Sequence, residues 1–259
     1  MGVRLLATLA AAAALATPAA YIQSQQRPDG GFGDAQITAW ATLGLVAAGA
    51  DIGRAAEYLA RQDPATQTDV ALVALARAAA GDPVDDLLPR LRAYRAGKQV
   101  NATIWTILAL RQAAEPAPPA LVRSLLAAQS PSGGWSWLAG GAPDTNDTAA
   151  AIQALRAAGI RGRPIDRGVA FLRRHQNADG GFELSDGRRS DAQSTAWAIQ
   201  ALVAAGRRPG SAPFRFLARL RRLDGSYRYS VRYATAPLWV TAQVLPALAR
   251  KPFPLPLRA

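Results

Sequence analysis

Two carboxylates, Asp144 and Asp147, flank Thr145 and Asn146 at the head of an alanine-rich run that continues to Leu155. A carboxyl group that burial and its neighbours keep protonated near neutral pH can donate that proton to a substrate, and such groups can also hold a polar ligand. The same residue types have a plainer use. Asp, Asn and Thr before an apolar run accept hydrogen bonds from the free amides of a first helical turn. Both uses require a helix that opens at Asp144.

Little else in the chain competes for a chemical role. There is no cysteine, which removes disulfides, thiolate zinc sites and cysteine nucleophiles. A single histidine, His175, removes a histidine-rich metal centre, so no metal or cofactor is expected. The net charge of +12 would suit an acidic partner. The arginines are scattered, however, in nothing longer than pairs and triplets such as Arg221-Arg222, and no nucleic-acid partner is expected. Trp40, Trp105, Trp197 and Trp239 each stand near the start of an apolar run, where they either pack in a core or line an apolar pocket. Asn101-Ala-Thr103 and Asn146-Asp-Thr148 match the glycosylation acceptor pattern, again at helix starts.

The elements that would position these residues repeat. Thr38-Ala-Trp-Ala-Thr-Leu-Gly-Leu-Val-Ala-Ala-Gly49 returns as Ser194-Thr-Ala-Trp-Ala-Ile-Gln-Ala-Leu-Val-Ala-Ala-Gly206, and the run from Asp144 closes in the same way at Gly159. Gln26, Gln129 and Gln176 are each followed six residues later by an aromatic residue, Phe32, Trp135 and Phe182, across a Gly-Gly turn. Between these marks the pattern predicts six helix pairs. One helix of each pair carries arginines on an outer face, as in 54–61, 166–175 and 213–222. Its partner is apolar all round, as in 38–48, 68–81, 101–110, 144–155, 194–206 and 238–250. A helix apolar on every side must be covered on every side, so the second set belongs inside. Six pairs stack as an open solenoid or close into a ring, and periodicity alone does not choose between them.

The N-terminus carries a separate signal. Arg4 precedes an apolar run from Leu5 to Leu15, and Thr17-Pro-Ala-Ala20 offers small residues to a peptidase. We expect a signal peptide over 1–19, one domain over 20–251 and an extended tail over 252–259, in a protein that is extracytoplasmic, secreted and monomeric. The alternative is that the run is the first outer helix. It is too short to serve as a permanent membrane anchor.

With its Gln-x-x-Asp/Ser-Gly-Gly-Phe/Trp copies at Gln26, Gln129 and Gln176, the chain resembles the repeat family of squalene-hopene cyclases and protein prenyltransferases over 21–250. The resemblance implies an all-α fold, an α/α toroid with inner and outer helix rings. It also implies that the three glutamines tie neighbouring pairs while Phe32, Trp135 and Phe182 stack at the joints. The zinc-dependent members need Cys and His, and the thioester toroids need Cys, which this chain lacks. Class II terpene cyclases protonate an alkene or epoxide with the middle Asp of Asp-x-Asp-Asp-Thr-Ala, and Asp144-Thr-Asn-Asp-Thr-Ala149 is similar to it. Asn146 occupies the acid's position, so Asp144 and Asp147 become the catalytic candidates of a cyclase reading. The triterpene cyclases resembled use two toroids with the site between them, and this chain has one.

The preferred expectation is an exported toroid that binds without chemistry, similar to the cobalamin carriers. Its ligand would be an isoprenoid, a corrinoid or another small molecule in the barrel mouth, met by Asp144, Asn146, Asp147, Trp40, Trp105, Trp197 and Trp239. There, converging helix N-termini favour a polar or anionic group. A class II cyclase is the alternative.

Overall fold

A computed structural model describes residues 17–256. The capping residues of the sequence set the helix starts. Asp34 accepts from the Ile37 amide, Thr66 from Asp69, Asp144 from Asp147 and Asp191 from Ser194, each answering a first-turn donor that has no partner within its helix. Twelve helices result among the described residues: α1 Pro18–Gln23, α2 Ala35–Ala48, α3 Ala55–Ala60, α4 Gln67–Ala79, α5 Leu88–Ala93, α6 Val100–Gln112, α7 Pro119–Ala127, α8 Thr145–Ala157, α9 Arg163–Arg174, α10 Ala192–Ala204, α11 Ala212–Leu220 and α12 Pro237–Leu248.

The even-numbered helices form the inner ring. Each packs on the next, and α12 packs on α2, so the ring is closed. The closing seam depends on one small residue. A Cβ added to Gly44 would lie 2.6 Å from the Ala242 carbonyl oxygen, closer than any side chain allows. The odd-numbered helices lie outside, α1 against α12 and α2, α3 against α2 and α4, and so on round the ring. Shorter and one-sided, they bury only the face turned inward, as Leu121, Val122 and Leu125 do in α7.

The turn that carries the chain from an outer to an inner helix is fixed by a recurring bond. The backbone amides of Phe32, Trp135, Phe182 and Tyr227 each donate to a threonine hydroxyl of the following inner helix, Thr38, Thr148, Thr195 and Thr241, at 2.9 Å. Gln26 donates to the carbonyls of Gly30 in its own turn and Ile52 ahead of the next outer helix, and Gln129 to those of Gly133 in its own turn and Pro164 in the first turn of α9. Gln176 donates to Gly180 of its own turn. Tyr227, in Asp224-Gly-Ser-Tyr227, is a fourth copy of the aromatic position that the Gln spacing does not reveal, because Arg221 stands where the glutamine would be.

At the other end of the ring lies the tail. It has no regular secondary structure, with bends at Phe253 and Pro254, and it is part of the core. Phe253 and Leu255 are buried, the Phe253 amide donates to Gln153 Oε1 at 2.8 Å, and Leu255 exchanges two hydrogen bonds with the Gln112 side chain at 2.6 and 2.9 Å. These glutamines sit in the second half of α8 and at the last turn of α6, so the tail closes the C-terminal end of the barrel. Residues 1–16, most of the expected signal peptide, lie outside the described residues. The small-residue stretch that follows begins the toroid, with Thr17 capping α1. Among the described residues no helix is long and apolar enough to cross a membrane.

Candidate functional site

The inner helices start at the same end of the ring, and their second and sixth positions, one turn apart, face its axis. The second position reads Gln36, Thr68, Asn101, Asn146 and Gln193 in α2 to α10, and the sixth reads Trp40, Leu72, Trp105, Ala150 and Trp197; α12 is offset by one residue and presents Trp239 and Gln243. The sixth-position ring alternates indole with a smaller side chain. Three tryptophans from alternate helices therefore meet on the axis, with centroids 5.4, 5.7 and 5.8 Å apart and planes at 79 to 90°. Mutually edge-on rings at this spacing are a favourable aromatic packing. Phe253 of the tail touches two of them from below, 6.3 Å from Trp40 and 5.9 Å from Trp197. The lumen is thus filled from the tryptophan level downward.

Above that floor a cavity of about 280 Å³ opens at the mouth. All seven residues expected at the site line it: Asp144, Asn146, Asp147, Trp40, Trp105, Trp197 and Trp239. Asp144 caps α8, its Oδ1 accepting from the Asp147 amide at 2.8 Å. Asp147 points across to α6, where Asn101 Nδ2 donates to its Oδ1 at 2.9 Å. Only 6% of Asp147 is exposed. Burial, then the charge of Asp144, pushes its carboxyl up to about 7, with the Asn101 bond pulling the other way. Burial also raises Asp144, against the amides it caps. Burial thus favours the neutral form of both carboxyls, and the neighbouring charge of Asp144 adds to it at Asp147.

Sequence reasoning missed several members. Asn101, spaced like a glycosylation acceptor, is buried and committed to Asp147. Thr68, Gln193, Gln243 and Trp137 also line the cavity. The signal that finds the first two is the recurring polar residue at the second position of each inner helix. Gln243 accepts from Trp197 Nε1 at 2.8 Å and from Gln193 at 3.1 Å, which fixes the indole but leaves its own Nε2 unused. Four buried polar atoms at this cavity have no hydrogen-bond partner: Asn101 Oδ1, Asn146 Oδ1, Thr68 Oγ1 and Gln243 Nε2. Buried polar groups are otherwise almost always paired. In each of α2, α4, α8 and α10 one of the first-turn amides that were expected to attract an anion is already taken by the helix's own cap. Among the described residues no three His, Cys, Asp or Glu side chains gather where they would hold a metal ion.

A second cleft, about 670 Å³, lies between the loops at 177–191 and 229–233. Its floor is Asp191, pushed up to about 6 by burial against the bonds it accepts from Ser194 and Tyr229. It is the larger of the two, yet its polar floor is internally satisfied. Asn177 bonds Ser190, Ser190 bonds Asp179, and Asp191 holds the Ser194 amide and hydroxyl. The unsatisfied polar atoms single out the mouth as the candidate site.

No protein-family model matches the chain, and no curated protein matches it. Solved structures do. ent-Copalyl diphosphate synthase from Streptomyces platensis is 22% identical with a TM-score of 0.59, the match covering 83% of this chain and 50% of that one. The chain therefore spans half the length of that enzyme. A variant of the type II terpene cyclase MstE from Scytonema, solved with geranylgeranyl dihydroxybenzoate as substrate, is 14% identical with a TM-score of 0.62, over 95% of this chain and 97% of that one. One toroid of about this length is thus the chain of a type II cyclase structure, and the second toroid that the resemblance led us to expect of a cyclase is not a requirement. A glycosidase solved with glucose is 13% identical with a TM-score of 0.66, over 96% of this chain and 98% of that one. One fold, in other words, houses unrelated chemistries. What these likenesses establish is the architecture alone: the chain is an all-helical α/α toroid, a fold it shares with type II terpene cyclases.

Proposed function

We propose that this protein binds a small, largely apolar molecule of the isoprenoid class at the mouth of its barrel. The observation that carries the reading is the tryptophan floor, with five indoles around one cavity and a polar rim whose buried atoms lack partners. At about 280 Å³ the cavity is at the small end of ligand pockets, which run from about 300 to 1,000 Å³. A long polyprenyl chain would need the lumen that Trp40, Trp105, Trp197 and Phe253 fill, and a corrinoid macrocycle would need far more room than the mouth offers. A short branched chain lying on the indoles, its oxygen toward Asn101, Asn146 and Asp147, suits both size and polarity. Export, and the monomeric state, belong to the same proposal.

A second reading is favoured by Asp147 itself. A buried carboxyl that holds its proton to about 7 beside an aromatic floor can serve as a general acid at physiological pH. In a class II cyclisation its proton would pass to an alkene carbon, the ring-closing bonds would form on the cation so produced, and loss of a proton from a neighbouring carbon would end the reaction. Asn146, in the position of the family's acid, has no such proton to give.

Calorimetry with geraniol and farnesol, paired with mass-spectrometric search for cyclised products, separates the two. Micromolar binding, weakened at least tenfold in Trp105→Ala and without any product, supports the binding reading. Product that disappears in Asp147→Asn supports the second. Failure of every short isoprenoid to bind contradicts the proposal as a whole. Amino-terminal sequencing of protein recovered from the medium tests export, and light scattering tests the monomer.

A further inference from the structure

The polar rim is lopsided. Of the four unpartnered buried atoms at the mouth, Asn101 Oδ1 and Asn146 Oδ1 are pure acceptors, Thr68 Oγ1 can accept, and only Gln243 Nε2 is a fixed donor. Two carboxylates, Asp144 and Asp147, stand beside them, and among the described residues neither is in an ion pair with a lysine or arginine. The chain has 30 lysines and arginines, yet among the described residues none lines this cavity. In so basic a protein, a cavity with unmet polar atoms is bare of described cations and rich in acceptors, acids and indoles.

We propose that the mouth takes an organic ammonium, its charged N–H donors shared among Asp144, Asp147, Asn101 and Asn146 and its apolar body resting on Trp40, Trp105 and Trp197. This rests on the mouth being the binding site and adds the sign of the ligand's charge. An ammonium has three donors and no acceptor, which answers the acceptors of this rim as no neutral or anionic head does. Indoles attract cations through their ring faces, most strongly where water is excluded. An anionic head, such as a diphosphate, would meet two carboxylates and no counter-charge.

Binding a cation favours the ionised acid pair. The charged or titratable groups that bear on it are Asp144 beside Asp147 and His175 from the end of α9, which acts on Asp144. Affinity for an ammonium is therefore expected to rise with pH as Asp147 gives up its proton.

The test compares geranylamine with geraniol, which share a carbon skeleton and differ in head group. Calorimetry at pH 8 is expected to show geranylamine binding at least tenfold more tightly, with the preference falling severalfold at pH 5.5. Asp147→Asn is expected to bring geranylamine to the affinity of geraniol, and Trp105→Phe, which keeps an aromatic ring in place, to weaken both. Equal affinities at both pH values, or tighter geraniol, overturn the ammonium and leave the apolar mouth standing. Binding of neither ligand overturns both. Geranylamine binding that Asp147→Asn and Trp105→Phe leave unchanged lies elsewhere on the surface, and overturns the ammonium site as well.

Discussion

Asp147 ties the site to stability. Its pKa rises from 3.8 to about 7 on folding, so the native state binds a proton that the unfolded chain has released, and between those values stability falls as pH rises. The stability is fully present below about 4 and lost through about 7, by up to about 4 kcal/mol for a shift of this size. Asp147→Asn keeps the shape and can still accept from Asn101, but does not ionise. Urea denaturation should show the variant gaining on the wild type by about 2 to 4 kcal/mol between pH 4.5 and pH 8, and parallel pH profiles would mean that Asp147 is not a buried acid. Replacing Asn101 with leucine removes the bond that pulls Asp147 down, so its titration, followed by carbon-13 NMR of the carboxyl, should move further up. The acid pair was legible from spacing along one helix. Asn101 was not, because it stands 46 residues away and meets Asp147 only when α6 and α8 lie side by side.

The inner helices show why the pairing could be read and where the reading blurred. A helix buried on all sides announces itself as an unbroken apolar run, so α2, α6 and α10 fall where the repeats put them. The outer helices are less legible at their ends. α5 begins only at Leu88, since Asp86 is held 2.8 Å from Arg77, which also binds Asp82 and the Pro83 carbonyl. That buried arginine fixes the loop and delays the helix. Two substitutions test the packing. Gly44→Ala should cost about 1 to 3 kcal/mol despite alanine's better helix propensity, because the methyl meets the α12 backbone. Thr195→Val leaves the buried Phe182 amide without its acceptor and should cost about 1 to 3 kcal/mol. Thermal or urea melts check both, and a neutral result in either would mean that the seam or the turn relaxes freely.

At the scale of the molecule, the ring is a closed barrel with one end stoppered by its own tail and the other left open over three indoles. Closure was the choice that periodicity left undecided, and the packing of α12 on α2 decides it. The stopper was invisible in sequence, because Pro252-Phe-Pro-Leu-Pro reads only as extended chain and nothing local says what it lies against. Truncation after Lys251 removes buried Phe253 and Leu255 and strands Gln112 and Gln153, so the shortened chain should unfold at least about 3 kcal/mol more easily. The central claim is that a ligand rests on the tryptophan floor at the mouth. The chain has six tryptophans, of which five line the cavity and Trp135 is fully buried at the α7 and α8 joint, its Nε1 donating to Leu125. Nitrogen-15 NMR of the indole groups during a geraniol titration tests the claim most directly. Shifts at Trp40, Trp105 and Trp197 with Trp135 unmoved are the result we predict, whereas silent floor indoles, or a response led by Trp135, would contradict it.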